Sequence, residues 1–178
     1  MKGTLRLPLL GTLVVGLTFF SAYAVSAATV TVVLESGRLS ITDAPVALTY
    51  SSTTTSDNIR RLDTTFSLGM TDATGTKAGW HIQATLGALT RPDGSSVPVL
   101  SSAVTQARVT TLTGRPPNSM LSYPRAFRTD GDTIFSAAAE SGMGKSSLTF
   151  DTELAVEADT ADTAPLTTTL TVTITASP

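Results

Sequence analysis

His81 is the single histidine of this chain, and its 178 residues include no cysteine. Thiolate chemistry, disulfide frameworks and Cys/His zinc sites all need groups the chain lacks. A serine triad needs a base beside a nucleophile held on a strained turn. His81 falls on the polar side of its segment, beside Trp80, and no such turn is legible around any serine. Ala139-Glu140-Ser141-Gly142-Met143-Gly144-Lys145-Ser146 fits a relaxed phosphate-binding loop, with alanine in place of the first glycine. That loop works only where backbone N–H groups and the start of a following helix cradle phosphate. Here Ser147–Val156 alternates like a strand, so the segment reads as a glycine turn between two strands. The pairs Asp130/Asp132 and Asp151/Glu153 lie in a turn and on an open strand face, where nothing drives their pKa values apart. Asp130-Gly131-Asp132 also lacks the spaced ligands and terminal glutamate of a calcium loop. A lysine–asparagine crosslink would have to use Lys77, Lys145, Asn58 or Asn118, and all four read as loop-borne. The inventory points away from an enzyme, and no cofactor or metal is expected.

Strands must position whatever these residues do. Period-two alternation dominates and helical periodicity is nearly absent. Leu62, Phe66, Leu68 and Met70 share one parity against Asp63, Thr65 and Ser67. After the turn Asp72-Ala73-Thr74-Gly75, Trp80, Ile82, Ala84 and Leu86 alternate with His81, Gln83 and Thr85. Leu62–Met70 and Gly79–Leu86 are therefore expected to form a hairpin. Leu148, Phe150, Thr152, Leu154 and Val156 oppose Thr149, Asp151, Glu153 and Glu157, and Leu166, Leu170, Val172 and Ile174 oppose a run of threonines. Further strands are expected over Thr29–Leu34, Leu39–Thr42, Val46–Tyr50, Val104–Leu112 and Thr133–Ala138. Ser51–Arg61 and Gly114–Asp132 read as long polar loops. Serine and threonine supply nearly a third of the chain, which suits half-buried strands and disfavours helix. About nine strands with such turn spacing predict an all-β, antiparallel, immunoglobulin-like β-sandwich.

The N-terminus predicts export. Lys2 and Arg6 precede an apolar run from Leu7 to Phe20, followed by small residues at Ala22-Tyr23-Ala24 and Val25-Ser26-Ala27. Cleavage is expected after Ala27, with Ala24 and Ala28 as alternatives. This makes 1–27 a leader and 28–178 one domain, close to a usual domain size of about 150 residues. Gly11, Thr12, Gly16 and Thr18 dilute the apolar run below what a membrane anchor needs, so no membrane span is expected after cleavage. No hydrophobic tail with trailing basic residues closes the sequence, so covalent wall sorting is not expected. The net charge is −2, and loss of Lys2 and Arg6 takes it to −4. That balance carries no basic stripe for nucleic acid.

Asp72-Ala73-Thr74-Gly75-Thr76-Lys77-Ala78-Gly79-Trp80-His81-Ile82 resembles the turn and first signature of the WxL-domain proteins, exported surface proteins of Gram-positive and related bacteria. Ser136-Ala137-Ala138 and Gly142-Met143-Gly144 look like that family's small-residue and glycine segment, and Leu166 to Pro178 is similar to its closing strand. The resemblance runs from about Leu39 to the end. It implies a β-sandwich held non-covalently on the cell wall through peptidoglycan or a surface polysaccharide, outside the cell. The chain departs from the family at four positions. Ile82 and Ile174 replace leucine, Val172 replaces the second tryptophan, and Leu166 stands where tyrosine is usual. The resemblance makes Trp80, Ile82, Val172 and Ile174 the candidate binding residues; their parity makes them core. A structural subunit of an extracellular assembly, joined to other surface proteins by strand edges, is the rival reading.

Overall fold

The computed structural model describes residues 26–33, 39–45, 47–54, 58–119, 121–128, 130–157 and 165–177. The body of the expected leader lies outside these residues. Twelve strands follow one another: β1 (Ser26–Val33), β2 (Leu39–Asp43), β3 (Ala47–Thr54), β4 (Ile59–Asp72), β5 (Trp80–Leu86), β6 (Leu89–Thr90), β7 (Ser96–Val97), β8 (Val99–Gly114), β9 (Arg125–Ala126), β10 (Asp132–Ala137), β11 (Gly144–Glu157) and β12 (Thr167–Ala176). Because β6, β7 and β9 are two-residue pieces, nine substantial strands remain. The all-β sandwich is as the alternation implies.

One sheet runs β10-β5-β12-β1 and the other β4-β11-β8-β9, with β3 between them. Ala47–Tyr50 of β3 pairs with β1, whereas Ser51–Thr54 pairs with β4, so a single strand passes from one sheet to the other. Every described pairing is antiparallel except that of β1 with β12. Burial follows parity: Leu148, Phe150, Thr152 and Leu154 on β11 face in, and the Thr152 hydroxyl is satisfied by the Thr64 carbonyl at 3.1 Å. Burying a hydroxyl without such a partner would cost on the order of 1–3 kcal/mol.

Two expectations fail. Leu62–Met70 and Gly79–Leu86 do not form a hairpin: β4 pairs with β2, β3 and β11, and β5 pairs with β10 and β12. The link over 73–79 is longer than the 2–5 residues usual for hairpins, and it carries the chain across the core, so the two apolar faces meet instead of lying side by side. Nor is Ser51–Arg61 all loop. β3 continues to Thr54 and β4 begins at Ile59. Serine and threonine on both faces hide that strand from any hydrophobic pattern.

The core is strung on aromatic rings. Trp80 stacks on Phe135 at 5.5 Å, Phe135 meets Phe150 edge-on at 6.4 Å, and Phe150 stacks on Phe66 at 5.2 Å. The Phe135–Phe150 contact crosses between the sheets. A bulge between Thr133 and Phe135 turns both Ile134 and Phe135 inward from one strand. The only large hydrophobic side chains exposed among the described residues, Leu100 (49%) and Leu112 (64%), are skipped by the β8–β11 register at its bulges.

Candidate functional site

The two signature segments lie on neighbouring strands. In the antiparallel register of β5 and β12, Trp80 faces Ala176, Ile82 faces Ile174, and Ala84 faces Val172. Trp80 is 1% exposed; Ile82, Val172 and Ile174 are fully buried. None of the four offers a side-chain surface to a ligand. Val172 has the small Ala84 across the strand, at the position where the family's second tryptophan would stand.

What Trp80 does is hold one end of the sandwich. Its Nε1 donates to the Gly142 carbonyl at 3.4 Å, and Ala137 on β10 is its cross-strand neighbour. Gly142 has φ +76°, and a Cβ there would lie 2.8 Å from the indole nitrogen. Gly79 has φ +81°, and a Cβ there would lie 2.5 Å from the Ala137 carbonyl oxygen. Both positions demand glycine for backbone conformation and for close approach. The small-residue segment 136–144 is thus the mould into which the indole fits, and it also forms the glycine turn expected between β10 and β11.

Three connections are knitted over this ring. Glu140 N–H donates to the Lys77 carbonyl at 2.8 Å, Gly142 N–H to Pro116 at 3.2 Å, and Ala138 N–H to Asn118 at 3.1 Å. Arg115 N–H donates to Met143 at 2.8 Å, and Ser177 N–H to Gly79 at 3.1 Å. The Arg115 guanidinium caps the Glu140 carbonyl at 2.6 Å. Asp72 is buried and binds the Thr74 amide and hydroxyl at 2.9 and 2.7 Å, which shapes the first of these loops.

The solvent face of the second sheet is a polar ladder. Arg108 grips Asp151 through two hydrogen bonds of 2.6 and 2.8 Å, and Thr65 adds a third at 2.8 Å. These bonds, Arg108's foremost, hold the Asp151 carboxyl below the usual carboxylate range. Arg61 pairs with Glu153. Asp63 nearby is raised, by partial burial first and by the Glu153 charge second. Asp151 and Glu153 are thus engaged by arginines, and the arrangement reads as exposed cross-strand pairing.

His81 stands level with Ser136 on β10 and Thr175 on β12, and among the described residues no hydrogen bond ties its ring to a carboxylate. Among the described residues no three His, Asp or Glu side chains converge on a point. An opening of about 580 Å³ lies between β6–β7 and β8–β9; it is lined mainly by Leu86, Leu89, Val97, Leu100 and Phe127, with Arg128 the only charge among its lining residues.

A family model described as the WxL domain, surface cell wall-binding, matches residues 25–178. The chain belongs to the WxL-domain family. It is a cell-surface protein, secreted and associated with the cell wall. The family is a wall-binding module and not a catalytic one. No curated protein matches the chain. The segments that stand in place of the family's signature, Trp80–Ile82 and Val172–Ile174, are paired core strands in this chain, and the hydrogen-bonded loops lie above them. Sequence reasoning identified Trp80 but missed those loops, because hydrogen bonds between backbone atoms of residues 77, 116, 118, 140 and 142 leave no mark in side-chain patterning.

Proposed function

We propose that this WxL domain associates non-covalently, without catalysis, with the peptidoglycan or surface polysaccharide of the wall. The match to a wall-binding family over residues 25–178 carries the reading. In it, residues 1–27 act as a removable leader and the remainder as one domain. Trp80, Ile82, Val172 and Ile174 contribute by fixing the fold beneath the surface that meets the wall. Co-sedimentation of the purified mature chain with isolated cell walls tests this. The chain is expected in the pellet; a chain that stays in the supernatant at low ionic strength refutes it.

The open edge of β8 favours a second reading, a partner-binding subunit of a surface assembly. Among the described residues, this strand pairs with β11 alone from Thr105 to Gly114, since β9 covers only Ala103 and Val104. Unpaired edges recruit further strands. Size-exclusion chromatography with light scattering separates the readings: a monomer at all concentrations counts against self-assembly.

A further inference from the structure

Beyond Lys2, the chain has only two lysines, Lys77 and Lys145. The fold brings both to the loop end above Trp80, although they are far apart in sequence. Lys77 lies in the loop between β4 and β5, and its carbonyl receives the Glu140 N–H. Lys145 opens β11, level with Thr71 and Thr113 on its two neighbours. Arg115 joins them, its backbone N–H on Met143 and its guanidinium on the Glu140 carbonyl. All three side chains are exposed, and among the described residues neither lysine meets a carboxylate. Among the described residues, the acids of this end are Glu140, which is exposed, and Asp72, which is buried and occupied with Thr74. The remaining acids of β11, namely Asp151, Glu153 and Glu157, lie progressively farther down the strand.

The backbone here is held against its preference. Lys77 and Glu140 have φ of +60° and +61°, a left-handed conformation uncommon for residues other than glycine. They face each other across one hydrogen bond. Strain of this kind persists where surrounding structure overrides it, often at sites of function. A chain of net charge −2 thus presents its lysines together on a backbone-braced platform.

We propose that this end, through Lys77, Lys145 and Arg115, is where the domain grips an anionic polymer of the wall, by its phosphate or carboxylate groups. The inference rests on the wall-binding reading and names the surface that performs it. Two immobilised probes, polyphosphate and poly-L-glutamate, and isolated walls test it with the full mature chain. The variants are the Lys77→Gln/Lys145→Gln pair and, as a control cation elsewhere, Arg128→Gln. Losing two lysines is expected to weaken polyanion and wall binding about 30-fold at low salt, with the difference shrinking as salt screens the charges. Arg128→Gln is expected to bind as the parent does. Thermal melts should be unchanged in both variants, since the replaced side chains are exposed. Walls stripped of phosphodiester polymer, and walls with amidated carboxyl groups, show which anion serves. If the parent binds walls and the double variant binds equally well, this contact is refuted while the wall reading stands. If the parent binds polyphosphate or polyglutamate through the lysines but not walls, the anion site stands and the wall reading falls. If the parent binds neither polyanion, the proposal is overturned.

Discussion

Trp80→Ala is the sharpest test of the claim that the signature works through the core. The side chain is 1% exposed, stacked on Phe135 at 5.5 Å with an interplanar angle of 25°, and bonded through Nε1 to Gly142 at 3.4 Å. Emptying such a site costs about 3–5 kcal/mol for a large aromatic, of which the ring stack supplies roughly 0.5–1.5. Against a typical total stability of about 5–15 kcal/mol, the variant should be marginal. Trp80→Phe keeps a ring against Phe135 but loses the N–H donor and half the indole, so about 1–2 kcal/mol is expected. Guanidinium titration followed by far-ultraviolet circular dichroism measures both, since the alanine variant has no tryptophan to report fluorescence. The midpoint should fall with an unchanged slope. A loss below about 1 kcal/mol for Trp80→Ala would contradict the burial argument. If wall binding vanished while the midpoint held, Trp80 would be a ligand contact.

Val172→Trp restores the family residue at a fully buried position opposite Ala84. It should strain the core by about 1–3 kcal/mol and leave wall sedimentation unchanged; a gain in binding would show that the missing ring was functional. Asp151 has a folded pKa below its unfolded value, so its contribution is present above the ordinary carboxylate pKa of about 4 and is lost as pH falls through the lower folded value. Exposure keeps that contribution small and salt-sensitive; melting curves from pH 7 to pH 3 should show a steeper acid loss in the parent than in Arg108→Gln, and parallel curves would refute the assignment. For the leader, Ser26 and Ala27 pair with Tyr50 and Thr49, and the family match begins at residue 25. Cutting after Ala27 removes those two pairs but keeps Ala28 on Leu48 and Thr29 on Ala47, so intact mass of the exported form should correspond to a start at Ala28; a start at Val25 would show that β1 is kept whole and the leader ends at Ala24.

Much of the fold is written in the chain. A strand that buries one face must alternate, so β4, β5, β11 and β12 are legible in Leu62–Met70, Trp80–Leu86, Leu148–Val156 and Leu170–Ile174, and with them the burial of Trp80, Ile82, Val172 and Ile174. The glycines at 79 and 142 were visible as turn residues. Their partners were not, because the close approach each one permits comes from Ala137 and Trp80 on other strands. Alternation states which side of a strand is apolar and nothing about which strand lies beside it. For that reason the expected hairpin of β4 and β5 was misplaced, and the passage of β3 between sheets, the parallel entry of β1 beside β12 and the placement of Lys77, Arg115 and Lys145 at one end of the sandwich were decided only by tertiary structure. Pairing is set by backbone hydrogen bonds between residues dozens of positions apart, and those bonds carry no side-chain signature for a local pattern to report.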